Sequence, residues 1–348
     1  MAATQAEAHR GCGRAPGPVC EHGLVVLNAL LEDRLIRLEG WREYDVKLLR
    51  VGSVGAERPA LLDESGTLRD LSGLVRDIDG ALLADAAALD GIREAAAAGT
   101  LPELSASRTG TAGTGTGTGA GAGAESLRIG PPLAGIGKIV CIGLNYHDHA
   151  RETGAPVPAE PILFMKAPDT VVGPHDTVLI PRGSEKTDWE VELAVVIGRT
   201  ARYLGSHEEA LASVVGYALA NDVSERAFQT ERGGQWDKGK NCETFNPLGP
   251  WLVTADEVPD PQALAMRLWV NGELRQDGST GGQIFPVAEV VRYVSQFMTL
   301  YPGDVISTGT PAGVAMGMAE PKPYLREGDV VELEITGLGR QRQVMKSA

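Results

Sequence analysis

Asp188-Trp189-Glu190-Val191-Glu192-Leu193-Ala194-Val195-Val196-Ile197-Gly198 is an apolar run, rich in β-branched residues, that carries two glutamates at i and i+2. Side chains alternate across a strand, so Glu190 and Glu192 leave the same face, about 7 Å apart along the chain. A buried carboxylate pair is very costly unless a cation neutralises it. Further on, Ala218-Leu219-Ala220-Asn221-Asp222-Val223 brings a second apolar run to another carboxylate. Three acidic oxygen donors at strand ends suit a hard divalent ion. The competing reading is a solvated face of an edge strand, because isolated charge pairs are usually surface features.

Lys138-Ile139-Val140-Cys141-Ile142-Gly143-Leu144-Asn145-Tyr146-His147-Asp148-His149-Ala150-Arg151-Glu152 reads as a strand running into a helix, with Asn145 as the expected N-cap. His149 and Glu152 then lie one turn apart on one helical face. A carboxylate beside an imidazole fixes its tautomer and raises its basicity, which suits a general base acting on water. Taken alone, HxxE is more often a surface ion pair. Its place directly after a β-strand raises the catalytic reading, since catalytic groups gather where strands give way to loops.

CIGLNYHDHARETG (141–154), ILFMKAP (162–168), SEKTDWEVELAVVIG (184–198), NDVSERAFQTERGGQWDKGKNCETFNPLGPWLVT (221–254) and PGDVISTGTPAGV (302–314) follow one another in an order and spacing that resembles the fumarylacetoacetate hydrolase family. The resemblance runs from about Val46 to Val344 and is strongest in the C-terminal two-thirds. The ERGGQWDKGK stretch is most similar to bacterial members described as ureidoglycolate lyases or as hydrolases of 2,4-diketo-3-deoxy sugar acids. The resemblance implies a mainly β fold with α (α+β): a mixed β-sandwich roll with a small N-terminal α/β domain, usually a homodimer.

Carried over position by position, the family's metal ligands fall on Glu190, Glu192 and Asp222. Oxygen-only ligation argues for Mg²⁺, with Mn²⁺ or Ca²⁺ as substitutes, because zinc ordinarily recruits His or Cys. The water-activating pair falls on His149 and Glu152. Lys166 and Lys240 match lysines that face the bound substrate; most lysines are simply solvated surface charges. Asn241-Cys242-Glu243 departs from the family pattern, and Cys242 reads as a packing residue rather than a nucleophile. The glycine- and charge-rich stretch Ser224 to Lys240 is expected to close over the site, with Gln229 and Arg232 on an anionic substrate. Arg226 fits a structural ion pair near the acidic cluster better. Thr310, in Thr308-Gly309-Thr310-Pro311-Ala312-Gly313, is expected to meet the substrate carboxylate together with backbone N–H groups; a plain turn is the competing account.

Composition narrows the function further. The 348 residues suffice for one large domain and a smaller one. With 46 acidic against 32 basic residues the formal charge is -14, which disfavours nucleic acid and anionic membranes as partners. No apolar run approaches the roughly twenty residues of a membrane helix. The 4 cysteines set up no disulfide framework, so a reducing cytoplasm is the expected compartment. There is no GxGxxG after a strand and no P-loop, which disfavours nucleotide binding.

Residues 1–45 are expected to be a disordered extension, or sequence upstream of a native start at Val46. His9, Cys12, Cys20 and His22 match no common zinc-finger spacing. Residues 46–107 are expected as the small N-terminal domain, with strands at Lys47 to Val51 and Pro59 to Leu62 and a helix over Ala81 to Ala98. Residues 108–126 form a Thr/Gly-rich linker that can bury no sizeable side chain. Residues 127–345 are the catalytic domain. Asn271-Gly272 predicts a type I′ hairpin, and Val287, Val290, Val291, Val294 and Met298 mark the core stripe of a helix.

The leading expectation is a metal-dependent hydrolase that cleaves a C–C bond in a 2,4-diketo acid, an acylpyruvate or a diketo-deoxy sugar acid. The alternatives are ureidoglycolate cleavage and decarboxylation of an oxaloacetate-type β-keto acid. In each case the partner is a small anionic keto acid.

Overall fold

The Val191–Ile197 strand runs inside a nine-stranded sheet of a computed structural model that describes residues 46–104 and 127–348. It is buried on both faces. The extension at 1–45 with its His and Cys residues, and the Thr/Gly-rich linker at 108–126, lie outside the described residues. From edge to edge the sheet runs Leu68–Asp70, Arg58–Leu62, Lys47–Val51, Leu252–Thr254, Val214–Asn221, Val191–Ile197, Val305–Ser307, Ile139–Gly143 and Ile162–Lys166. Val305–Ser307 is parallel to Ile139–Gly143, while its pairing with Val191–Ile197 is antiparallel.

Alternation sends Val191, Leu193, Val195 and Ile197 to one core, with Tyr217 and Leu219 beside them. That face packs on a second sheet, ordered Glu273–Ser279, Ala265–Val270, Val330–Ile335, Gly339–Ser347 and Val178–Ile180, and on the helix Val287–Phe297. The expected helical stripe is buried from Val287 through Val294. Asn271 and Gly272 take φ of 52° and 79°, the left-handed pair a type I′ hairpin requires.

The other face carries Ala194, Val196, Ala218 and Ala220. Small residues there let Leu82, Leu83, Leu89 and Ile92 of the N-terminal helices settle onto the sheet. Residues 46–104, expected as a domain of their own, are therefore the end of the same sheet. Lys47–Val51 pairs with both Arg58–Leu62 and Leu252–Thr254, and residues 46–104 and 127–348 fall in one compact unit. The single helix expected over Ala81 to Ala98 is two, Gly80–Leu83 and Ala86–Ala97. Asp79 and Asp85 cap each start with their carboxylates and so punctuate the run. Among the described residues no helix is long and apolar enough to cross a membrane.

Candidate metal centre and active site

Glu190 and Glu192 share the face of Ala194 and Val196 and are buried, so the solvated-edge reading fails. Ala220 lies opposite Glu192 in the antiparallel register, and the next residue on that face is Asp222. Carboxylate oxygens of Glu190, Glu192 and Asp222 all lie within 4.8 Å of one another. Such crowding of buried like charges needs compensation.

Three cations supply part of it. Lys240 Nζ lies 2.9 Å from Glu190 Oε2 and 2.7 Å from Asp222 Oδ2. Lys166 Nζ donates to the other Asp222 oxygen and, at 3.0 Å, to the Val223 carbonyl. Arg226 Nε donates to Asp188 at 2.8 Å, and its Nη2 lies 2.7 Å from Glu190 in a charge contact that lacks hydrogen-bond geometry. Burial alone would raise the Glu190 carboxyl; Lys240 and Arg226 outweigh it and hold the group below the usual carboxylate range. Burial would likewise lower Lys240 and Arg226, but the surrounding carboxylates push both up.

Glu192 is different. It accepts the Gly309 N–H at 2.9 Å and has no ion-pair partner among the described residues. Burial, then the charges of Asp222 and Glu190, drives its carboxyl well above the usual range. A divalent ion held by Glu190, Glu192 and Asp222 fits this donor set: the oxygens are hard, clustered and short of positive charge.

His149 sits on the short helix His147–Glu152, and its Nδ1 is 2.7 Å from Glu152 Oε1. The other Glu152 oxygen accepts the Gly313 N–H at 2.8 Å, which fixes the carboxylate from the far side. This leaves Nε2 as the ring nitrogen available to a water. Asn145 does not cap the helix; Tyr146 occupies that position without a side-chain bond. Asn145 instead donates to the carbonyls of Phe285 and Thr308 and accepts the Phe285 N–H, pinning the turn. Leu144 before it adopts φ of 50°, a strained conformation for a non-glycine residue, and lines the pocket.

One pocket is lined by His149, Glu190, Glu192, Lys240, Arg226 and Gln229, so the imidazole of the dyad and two of the three acids face one space. Gln229 is buried and accepts from Arg226 Nη1 at 3.0 Å. Thr310 reaches the pocket wall, but its hydroxyl is engaged, donating to Val191 O at 2.9 Å and accepting from Gln276 at 2.8 Å. Lys166 stands behind Asp222, buried, with its ammonium 6.0 Å from the Phe245 ring centroid. Arg232 does not reach the site; it is exposed, with its guanidinium 5.1 Å from the centroid of the Phe228 ring. Cys242 packs half-buried, and burial pushes its thiol up to about 11, as suits an inert residue.

Several supporting residues were assigned no role from the sequence. Asp188 accepts from Arg226 and from the N–H groups of Ala315 and Met316 at 2.8 and 3.0 Å. Asn221 accepts the Glu190 N–H at 3.2 Å and is itself held by Gln343. The signal for Asp188 was present: Asp188, Glu190 and Glu192 share one strand parity. The segment from Gly309 to Met316 thus points backbone donors at Glu192, Glu152 and Asp188 in turn, linking the acidic triad and the His149–Glu152 pair.

The chain belongs to the fumarylacetoacetate hydrolase family: the model described as Fumarylacetoacetate (FAA) hydrolase C-terminal matches residues 138–346. It is 48% identical over 298 residues to a 2,4-didehydro-3-deoxy-L-rhamnonate hydrolase of a Sphingomonas species, covering 86% of this chain and 95% of that protein. The fold matches a fumarylacetoacetate hydrolase from Exiguobacterium antarcticum with a TM-score of 0.70 at 33% identity, over 87% of this chain and all of the other. It also matches a maleylpyruvate hydrolase from Sphingobium sp. SYK-6, solved in complex with manganese(II) and pyruvate. That TM-score is 0.67 at 27% identity, over 87% of this chain and 99% of the other.

Proposed function

We propose that this chain is a Mg²⁺- or Mn²⁺-dependent hydrolase that cleaves the C3–C4 bond of a 2,4-diketo acid. The observation that carries the reading is that His149, oriented by Glu152, lines one pocket with Glu190 and Glu192 of the under-compensated acidic triad. The similarity to a deoxy-rhamnonate hydrolase supports a diketo-deoxy sugar acid or a related acylpyruvate as substrate.

Glu190, Glu192 and Asp222 would hold the ion. When bound, it supplies Lewis-acid polarisation of a keto oxygen and neutralises the triad. His149, held by Glu152, takes a proton from water at Nε2 as the oxygen attacks the C4 carbonyl. Lys240 lines the pocket and is the cation placed to stabilise the developing oxyanion. Lys166, behind Asp222, acts on the charge of that ligand. Collapse breaks C3–C4; the electron pair passes to C3 and is taken up by the C2 keto group, and His149 returns its proton to C3. One water is consumed, and the products are a carboxylic acid and a 2-keto acid.

The dyad favours hydrolysis over lyase or decarboxylase chemistry, which needs no activated water. With the family resemblance, a cytoplasmic homodimer is proposed, which light scattering of the purified protein tests. Acylpyruvates, diketo-deoxy sugar acids, oxaloacetate and ureidoglycolate assayed with Mg²⁺ and after EDTA test the chemistry. Turnover of oxaloacetate or ureidoglycolate alone, or full activity in EDTA, contradicts it.

A further inference from the structure

The strand Val305–Ser307 stops pairing with Val191–Ile197 at Ser307, opposite Ala194. Beyond that point side chains join the ladder. Thr308 Oγ1 donates to Leu193 O and Thr310 Oγ1 to Val191 O, each at 2.9 Å. Each threonine is in turn held by a glutamine. Gln283 Nε2 donates to Thr308 Oγ1 at 2.9 Å, and Gln276 Nε2 to Thr310 Oγ1 at 2.8 Å. Glu192 lies between the two strand carbonyls, and Gly309, whose N–H it accepts, lies between the two threonines.

Gln276 makes the tighter of the two relays. It belongs to Glu273–Ser279, the edge of the second sheet, and is fully buried. Its Oε1 accepts the Val191 N–H at 3.0 Å, and its amide nitrogen also donates to Pro311 O at 2.8 Å. Val191, Gln276 and Thr310 therefore close a ring of three hydrogen bonds in which every donor meets an acceptor. A turned-over amide would set donor against donor at Val191 and acceptor against acceptor at Pro311, so one orientation alone fits. Gly309 has φ of 96°, and any Cβ there would fall 2.8 Å from Asn145 Cβ, so no larger residue allows this turn.

Satisfying a strand end needs no such chain through two hydroxyls. What the relays add is rigidity on both sides of one carboxylate, Glu192, which has no ion-pair partner among the described residues. Granted the metal-dependent reading, on which this rests, we propose that Gln276, seconded by Gln283, is a positioning residue for the metal centre. It does not line the pocket; through Thr310 and Val191 it fixes where the Glu192 carboxylate stands against Glu190 and Asp222.

Calorimetry with Mg²⁺ reads this without a substrate. Gln276→Met, close in length and free of amide groups, should weaken Mg²⁺ binding by about tenfold or more, the loss typical when the residue behind a metal ligand is removed. Arg128→Ala, which breaks contacts with Glu57 and Asp176, is the control for a general loss of stability and should keep the parent's Mg²⁺ affinity. If Gln276→Met does not fold, Thr310→Val and Thr310→Ser remove and keep the hydroxyl of the same ring; the first should lose Mg²⁺ affinity and the second retain it. Unchanged affinity in Gln276→Met, an equal loss in Arg128→Ala, or equal affinities in the Thr310 pair overturns the positioning role and leaves the diketo-acid reading standing. A parent that binds neither Mg²⁺ nor Mn²⁺ overturns the metal-dependent reading together with this inference.

Discussion

Arg128 holds Glu57 at 2.8 Å and Asp176 at 2.5 Å, and Arg50 holds Asp77 at 2.7 Å, where residues 46–104 meet the body of the sheet. In and behind the wall of the pocket, Asp188, Glu190, Glu192 and Asp222 cluster with Arg226, Lys240 and Lys166. Both clusters hold one more acid than base. They differ in what each acid has for company. In the first, every carboxylate touches a guanidinium, Glu57 and Asp176 sharing Arg128, and the arginine side chains keep 11% and 25% of their surface in water. In the second, the side chains are at most 6% exposed, and Glu192 has a single backbone N–H. A charge cluster becomes a candidate site when burial and pairing fail to balance, because the structure then carries a cost that a ligand relieves.

The comparison can be broken most severely at the dyad. His149→Ala should lower kcat for diketo-acid hydrolysis by about 10²–10⁴-fold while calorimetry shows unchanged Mg²⁺ affinity. Decarboxylation of oxaloacetate by the same variant, if the enzyme performs it, should be spared. Equal hydrolysis rates in variant and parent would remove His149 from the mechanism.

A gentler cut leaves the dyad residues in place. The Cβ of an alanine at 317 would lie 2.5 Å from Glu152 Cδ, so Gly317→Ala must displace that carboxylate, the far end of a flexible side chain. We expect about a tenfold loss in kcat with little change in KM, and no further loss when it is added to Glu152→Gln. Additive losses would mean that the two residues act separately.

In the other cluster the effect should appear in stability alone. Arg128→Ala strips two charge-assisted contacts and should cost about 1.5–3 kcal/mol in urea unfolding, with kcat within about twofold. A large loss of activity in the folded variant would mean that the two regions are coupled.

The smallest effect is expected at Asp63, which pairs with Arg69 at 2.7 Å. Burial would raise its carboxyl, but Ser65 and Arg69 bring it from 3.8 down to about 2. A lowered folded value means the stabilisation is present above the ordinary carboxylate range and is lost as pH falls through about 2. Asp63→Asn should therefore cost at most about 1 kcal/mol near neutrality, and the gap from the parent should close in acid.

Strand parity made the acidic face legible in the sequence, and motif order placed the His149–Glu152 pair and Lys240. Less was legible wherever contacts join distant segments. The Gly339–Ser347 strand escaped notice because its inward residues include Gln341 and Gln343, buried polar groups satisfied by carbonyls of Leu219, Gly249 and Pro174. The true partners of Asn145 lie 140 and 163 residues away, beyond any local pattern. The hydroxyl of Thr310 looked free in its motif because the groups that engage it, Gln276 and the Val191 carbonyl, come from other strands. Arg232 lies in a stretch whose composition suits a closing loop, but composition does not say which way a side chain turns.

The central claim is that Glu192 is the carboxylate awaiting a cation. Glutamine at that position can keep the Gly309 contact and removes the uncompensated charge. The direct measurement is thermal unfolding of parent and Glu192→Gln at neutral pH, metal-free and with saturating Mg²⁺ or Mn²⁺. The parent should gain Tm on metal addition, as a ligand of the folded state requires. The variant should start at or above the metal-free parent and gain little. A variant that starts lower, yet keeps the full metal-dependent rise, would contradict the account.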